Sequence, residues 1–335
     1  MTINIDNIKI AVIGFSDAAS PLEPTWPSTH RALLPVAGKA VIVHLVEQLS
    51  NVGIRHLRIA GSIQQFAVRA RLGSGQEWGA TVRYSDLYGA DLFTQTLIER
   101  GNCLYILGDQ MLAVEKMLAS LRKTRPTATV PGKCEFPAYW QLSSEGALCW
   151  KLTDDFFGNT SQLKTTEDFH HANLLAADSE SIGLNLPGYV RDSKVNVGWD
   201  TYIHPNSEID EGVTIGSQCY IGSRVSLRAP CVIGDGSVID SGAILQNTSV
   251  LPNCFVGSRT RLRDSIITPR AIFDLHGNFW QVRDPSMIGR SRSNQESKTG
   301  LPEESLSEIE RMQVNNALSS RAKRKTNFFR SSSKG

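Results

Sequence analysis

Two charged side chains in this sequence stand where they could handle phosphate and a metal ion. Asp109 follows the apolar run Leu104–Leu107 and Gly108, so it leaves the end of a buried strand. A carboxylate in that place can hold Mg2+, which is usually kept by one or two carboxylates together with substrate phosphates. The alternative is that Asp109 caps a helix starting at Met111. Arg31, two residues ahead of Leu33-Leu-Pro-Val36, can grip phosphate with the fork of its guanidinium, or equally form a surface ion pair. The other reactive types offer less. His204, within Ile203-His-Pro-Asn206, carries no general-base signature on its own. The six cysteines, at 103, 134, 149, 219, 231 and 254, form no C-x-x-C pair and have no histidine at zinc spacing. They read as reduced, small, mostly buried residues.

Composition narrows the setting. A chain of 335 residues exceeds what one core usually holds, so two folded units are expected. Lys and Arg number 35 against 33 Asp and Glu, and a formal charge of +2 is too small for nucleic acid binding by bulk electrostatics. No apolar run approaches the ~20 residues of a membrane span. Met1–Lys9 carries one Asp and one Lys rather than a basic stretch ahead of an apolar core, so a cytoplasmic location is expected.

The elements that must position these groups show two periodicities. From Val197 every sixth residue is aliphatic: Ile203, Ile209, Ile215, Ile221, Leu227, Ile233, Ile239, Leu245 and Leu251 follow without a break. Four positions after each anchor stands a small or compact residue, from Thr201 to Ser249, failing only at Phe255. A period of six suits neither a helix nor an alternating strand. It suits a solenoid whose short strands turn a corner every six residues, with aliphatic side chains inward and small residues where backbones crowd. Val256 and Leu262 continue the series after a one-residue slip, which makes about four triangular coils.

Ahead of the repeat, strands and helices alternate. Ile10–Ile13 reads as a buried strand. In 41–51 a helix is expected, because Ile42, Leu45, Val46, Leu49 and Val52 share one face and Gly53 stands at its end. Strands at 54–60, 80–84 and 104–107 and a helix at 64–72 complete the pattern of a parallel α/β sheet, whose ligands lie at the carboxyl ends of its strands.

These residues carry a resemblance. Ala11-Val-Ile-Gly14, Leu33-Leu-Pro-Val-Ala-Gly-Lys39, Asn51-Val-Gly-Ile54, Leu72-Gly-Ser-Gly75 and Ile106-Leu-Gly-Asp109 resemble the sugar-phosphate nucleotidyltransferases. That family joins a nucleoside triphosphate to a sugar 1-phosphate and releases pyrophosphate. Its members often carry a C-terminal hexapeptide-repeat, left-handed β-helix, so the likeness covers roughly residues 9–110 and 165–285. It implies a metal-binding role for Asp109 and a phosphate role for Arg31, which stands where the family has lysine. In Tyr88-Gly-Ala-Asp-Leu92 only Gly89 matches the family segment L-G-T-A that touches the base and sugar. His170-His171 resembles the short helix that enters the C-terminal part, which implies a structural role.

The phosphate loop departs from the family's G-x-G-T-R-L-x-P. Counting back from Leu33, Asp17 and Ala19 take the glycine positions, Ser20 the threonine and Pro21 the arginine, while Leu22 and Pro24 are kept. Aspartate sets negative charge beside a polyanion, and proline offers neither an N–H donor nor a charge. One lost charge-stabilising group commonly costs ~10²–10³ in rate.

The expectation is therefore an α/β fold: a Rossmann-like nucleotidyltransferase domain over 1–190, a left-handed parallel β-helix over 191–285, and a mostly disordered tail over 286–335. The tail holds a short helix near Pro302–Glu310 and a basic run at Ser319–Lys325. The resemblance implies nucleotide-sugar and exopolysaccharide biosynthesis, with catalysis impaired and action by binding. Alternatives are an active but divergent nucleotidyltransferase and a hexapeptide-repeat acyltransferase. The expected ligands are a nucleotide sugar or sugar phosphate, with Mg2+ as the one cofactor. The expected assembly is a homo-oligomer, or a heteromer with an active paralogue.

Overall fold

A computed structural model of the chain describes residues 8–15, 20–22, 30–60, 65–87, 89–128, 138–143, 146–151, 163–177, 184–186, 188–190 and 195–291. The chain divides into two units, Met1–Ser291 and Arg292–Gly335. The second, with the tail helix and basic run expected there, lies outside the described residues, as do Asp17, Ala19, Pro24 and Cys134.

The first part is a sheet covered on both faces. Its strands are β1 (Ile10–Gly14), a small hairpin of β2 (Pro35–Val36) and β3 (Lys39–Ala40), then β4 (His56–Ile59), β5 (Thr81–Tyr84), β6 (Asn102–Leu107), β7 (Thr127–Ala128), β8 (Ala138–Ser143) and β9 (Gly146–Lys151). Seven of them form one sheet in the order β5-β4-β1-β6-β8-β9-β7, with β2 and β3 apart. The first four run parallel, and β8, β9 and β7 extend them antiparallel. Helices α1 (Val41–Asn51), α2 (Gln65–Leu72), α3 (Gly89–Arg100) and α4 (Val114–Lys123) supply the covering layers.

Alternation along β1 explains the two layers. Ala11 and Ile13 face a core with Ile42, Leu45, Leu49, Val114 and Leu118, whereas Ile10 and Val12 face one with Leu92, Phe93 and Leu97 of α3. Helix α1 has the expected bounds, and its apolar face is fully buried. Gly53 ends it with φ +87°, a left-handed conformation that costs a glycine little. The expected strands and the helix at 64–72 appear within one or two residues. Periodicity assigned nothing to 127–151, yet β8 and β9 bury Trp140 and Trp150 there.

The second part is the β-helix. One face stacks Asn196–Val197, Val213–Ile215 and the later halves of Ser226–Ile233, Ile244–Val250 and Arg261–Ile267 in parallel register. A second face stacks Tyr202–Ile203, Tyr220–Ile221, Val238–Ile239 and Cys254–Val256. Of the ten anchors, Ile203 and Ile209 in the first coil are half-buried and the other eight are buried.

The slip falls earlier than the side-chain pattern implies. Leu227 pairs with Leu245, but Ile233 pairs with Val250, so the coil shortens from 18 residues to 17 between them. Val250, not Leu251, continues the stack, because the hydrogen-bonded rung sets the register and both residues are apolar enough to satisfy the pattern. The tightened corner holds Asn247 and, one coil on, Asp264, both at positive φ, and Asn247 Nδ2 donates to Asp264 Oδ1.

Helix α5 (Thr166–Ala177) packs against this corner. Thr165 and Asp168 cap it reciprocally: Asp168 N donates to Thr165 Oγ1, and Thr165 N donates to Asp168 Oδ2. His170 bridges it to the β-helix, 2.9 Å from Ser249 Oγ and 3.1 Å from Asn247 Oδ1. Asn173 Oδ1 accepts from Ala37 N in the turn between β2 and β3, so α5 touches both parts of the unit. This is the structural role that the resemblance implies for His170.

Candidate functional site

The carboxyl edge of the parallel strands gathers the residues singled out from the sequence. Asp109 leaves β6, Arg31 lies in the connection that leaves β1, and Gly89 opens the helix that follows β5. Topology alone puts all three at the edge where such sheets bind ligands.

Packing at that edge is tight and apolar. Gly108 N donates to Gly14 O at 2.8 Å, tying the end of β6 to the end of β1. A Cβ on Gly108 would lie 2.6 Å from the Phe15 ring, 2.7 Å from Ile13 and 2.8 Å from Ile42. The Phe15 ring also meets His30 edge-on, with centroids 4.7 Å apart. His30 Nδ1 accepts from Ala32 N and caps the short 3-10 turn Arg31–Leu33. Phe15 therefore stands between the Gly108-Asp109 end of β6 and the turn that carries Arg31. Gly108→Ala is expected to destabilise the fold by about 1–3 kcal/mol through overpacking, measured as a lowered urea midpoint, with Phe15→Leu restoring part of the loss.

Both charged candidates are buried and engaged within the protein, Arg31 at 6% exposure and Asp109 at 2%. A surface ion pair is thus not how Arg31 sits. The capping alternative for Asp109 is also corrected. Helix α4 begins at Val114, not Met111, and the buried Gln48 of α1 serves its end. Gln48 Oε1 accepts from Val114 N and its Nε2 donates to Leu112 O, both at 2.9 Å. An amide at the right height on the neighbouring helix outcompetes a residue five positions upstream of the helix start.

Sequence reasoning missed Gln110. Beside Asp109, it is buried, and its Nε2 has no hydrogen-bond partner. Such an orphaned donor suits a polar ligand or a water at this edge. Of the loop between β1 and Arg31, residues 20–22 are described. Ser20 Oγ accepts from Leu22 N at 3.3 Å, and Leu22 is fully buried in the core shared with the β-helix. Among the described residues no group of three His, Cys, Asp or Glu could hold a metal. Mg2+ at Asp109 would need substrate phosphate oxygens for most of its shell.

The cysteines of the β-helix are buried and free. Burial pushes the thiols of Cys219 and Cys231 up to about 12 and that of Cys254 higher still, which keeps them protonated. His204 Nδ1 accepts from Asn206 N at 3.1 Å and closes a local turn.

The class this architecture defines is an α/β domain joined to a hexapeptide-repeat β-helix. Residues 212–247 match the family described as bacterial transferase hexapeptide (six repeats). The chain is 33% identical over 106 residues to the bifunctional protein GlmU of Pelobacter propionicus, covering 31% of this chain and 22% of that protein. It is 33% identical over 72 residues to the protein of the same name in Geotalea uraniireducens, covering 22% of this chain and 16% of that one. The corresponding match in Pseudoalteromonas atlantica is 34% over 101 residues, 29% of this chain and 21% of that protein. The chain thus spans about a fifth of the length of the curated relatives it matches. These likenesses bear out the resemblance to sugar-phosphate nucleotidyltransferases that carry a hexapeptide-repeat β-helix. Among the described residues no helix is long and apolar enough to cross a membrane.

Proposed function

We propose that this chain is a cytoplasmic nucleotidyltransferase-like protein of nucleotide-sugar supply, serving exopolysaccharide or other surface-glycan synthesis. Its Rossmann-like domain binds a nucleotide sugar or sugar phosphate, or docks on an active paralogue, and turns over little or nothing. One observation carries the reading. Phe15, packed against His30, fills the space above Gly108 at the carboxyl edge. The loop beyond it lacks the glycines and arginine of the family. Where the family has two glycines and an arginine that stabilise charge on departing pyrophosphate, this chain has Asp17, Ala19 and Pro21.

The test is pyrophosphate release across nucleoside triphosphates and sugar 1-phosphates with Mg2+. Background rates are expected. Robust turnover abolished by Asp109→Ala would overturn the impaired-enzyme reading and leave the active, divergent enzyme. That second reading has one observation in its favour, the orphaned Gln110 amide beside Asp109, which suits a ligand held close to the chemistry. A thermal-shift screen with nucleotide sugars separates ligand binding from docking alone, since a ligand of the native state raises its melting temperature by mass action.

A further inference from the structure

The opposite edge of the same sheet holds a basic pocket of about 350 Å³ at the amino ends of β1, β4, β5 and β6. Lys9, Arg58, Arg83 and Arg100 line it together with His56 and Thr81, and among the described residues no carboxylate lines it. Parallel pairing sets Arg58 directly beside Arg83. Like charges on neighbouring strands destabilise a sheet, so the arrangement needs negative charge from somewhere.

The described residues supply only part of it. Arg58 Nη1 donates to Thr96 Oγ1 at 3.0 Å, and its Nη2 pairs with Glu99 of α3. That hydrogen bond holds the Glu99 carboxyl below its ordinary value. Arg100 ends α3, where the helix dipole contributes about half a negative charge. Glu99 and the helix end thus answer fewer than two of the four cations. Lys9 and Arg83 have no ion pair or side-chain hydrogen bond among the described residues. Arg58, by contrast, is already fixed in place and preorganised.

We propose that this pocket binds a small phosphorylated molecule carrying at least two negative charges, at a site distinct from the Asp109 edge. The excess positive charge matches a phosphate dianion or a diphosphate, and guanidinium forks fit phosphate oxygens in pairs. A volume of this size suits a small-molecule ligand. The site stands whether or not the carboxyl edge catalyses.

Isothermal titration of the full chain with pyrophosphate at low salt tests it. One saturable site is expected, weakened about tenfold or more by Arg83→Gln, because charge-assisted hydrogen bonds are lost. Arg83 is exposed, so that variant keeps its fold. Arg263→Gln removes the same charge elsewhere and should leave binding intact. Citrate separates phosphate from carboxylate chemistry and should bind more weakly. Unsaturable uptake, equal loss in both variants, no loss in Arg83→Gln, or citrate binding as tight as pyrophosphate would each overturn the proposal.

Discussion

Leu227→Ala is expected to lower the unfolding free energy by about 2–5 kcal/mol, among the largest losses available to a single truncation here. Leu227 is fully buried in the β-helix and lies between Ile209 and Leu245 in the parallel stack. The space left by its side chain cannot close easily. The rungs above and below are held by backbone hydrogen bonds, Asp210 N to Leu227 O at 3.0 Å and Ser226 N to Ala243 O at 2.9 Å. A cavity that cannot collapse costs its lost contacts as well as the transfer term. Ile203→Ala, in the half-buried first coil, removes as much side chain and should cost clearly less. Urea unfolding of both variants measures the gap, and equal losses would mean that the coils do not share a continuous core.

Acidification is expected to remove roughly 2 kcal/mol of stability by pH 5 and roughly 3 kcal/mol by pH 4 through His44 alone. His44 is buried in α1, and its Nε2 donates to Val36 O at 2.9 Å. Burial, opposed by that hydrogen bond and aided by the charge of Lys39, lowers its pKa from 6.5 to about 4. The unfolded chain therefore takes up a proton below about 6.5 that the native state refuses until about 4. Stability from this group is fully present above pH 6.5, falls as pH drops from 6.5 towards 4, and changes no further below that. His170 acts in the same direction, since burial lowers it too. His44→Gln keeps a donor for Val36 O and removes the titration. Its urea midpoint should fall less between pH 7.5 and 5 than that of the natural protein, and parallel falls would assign the acid sensitivity elsewhere.

These two sites differ in how far the sequence reveals them. Leu227 is legible because a solenoid repeats one environment every coil, so position in the period predicts burial. His44 lies on the apolar helix 41–51, but nothing local says that its ring reaches a carbonyl on β2. The same contrast holds at the candidate site. Asp109 is legible as a residue that follows a strand, whereas Gly89 and Arg31 stand out through the family resemblance alone. That Phe15 packs on Gly108 and His30, that Gln48 caps α4, and that Gln110 keeps an unmet donor all depend on contacts between segments far apart in the chain.

By itself the sequence determined the parallel part of the sheet, the bounds of α1 and the six-residue solenoid. Those follow from residue type and short-range period, because backbone sterics and the burial of one face act locally. Only the tertiary structure decided that Arg31 and Asp109 are buried, where the coil shortens from 18 residues to 17, and that cations crowd the amino edge. Burial, register and summed charge depend on which distant segments meet. A one-residue choice such as Val250 over Leu251 is settled by hydrogen bonds to the next coil, not by hydrophobicity.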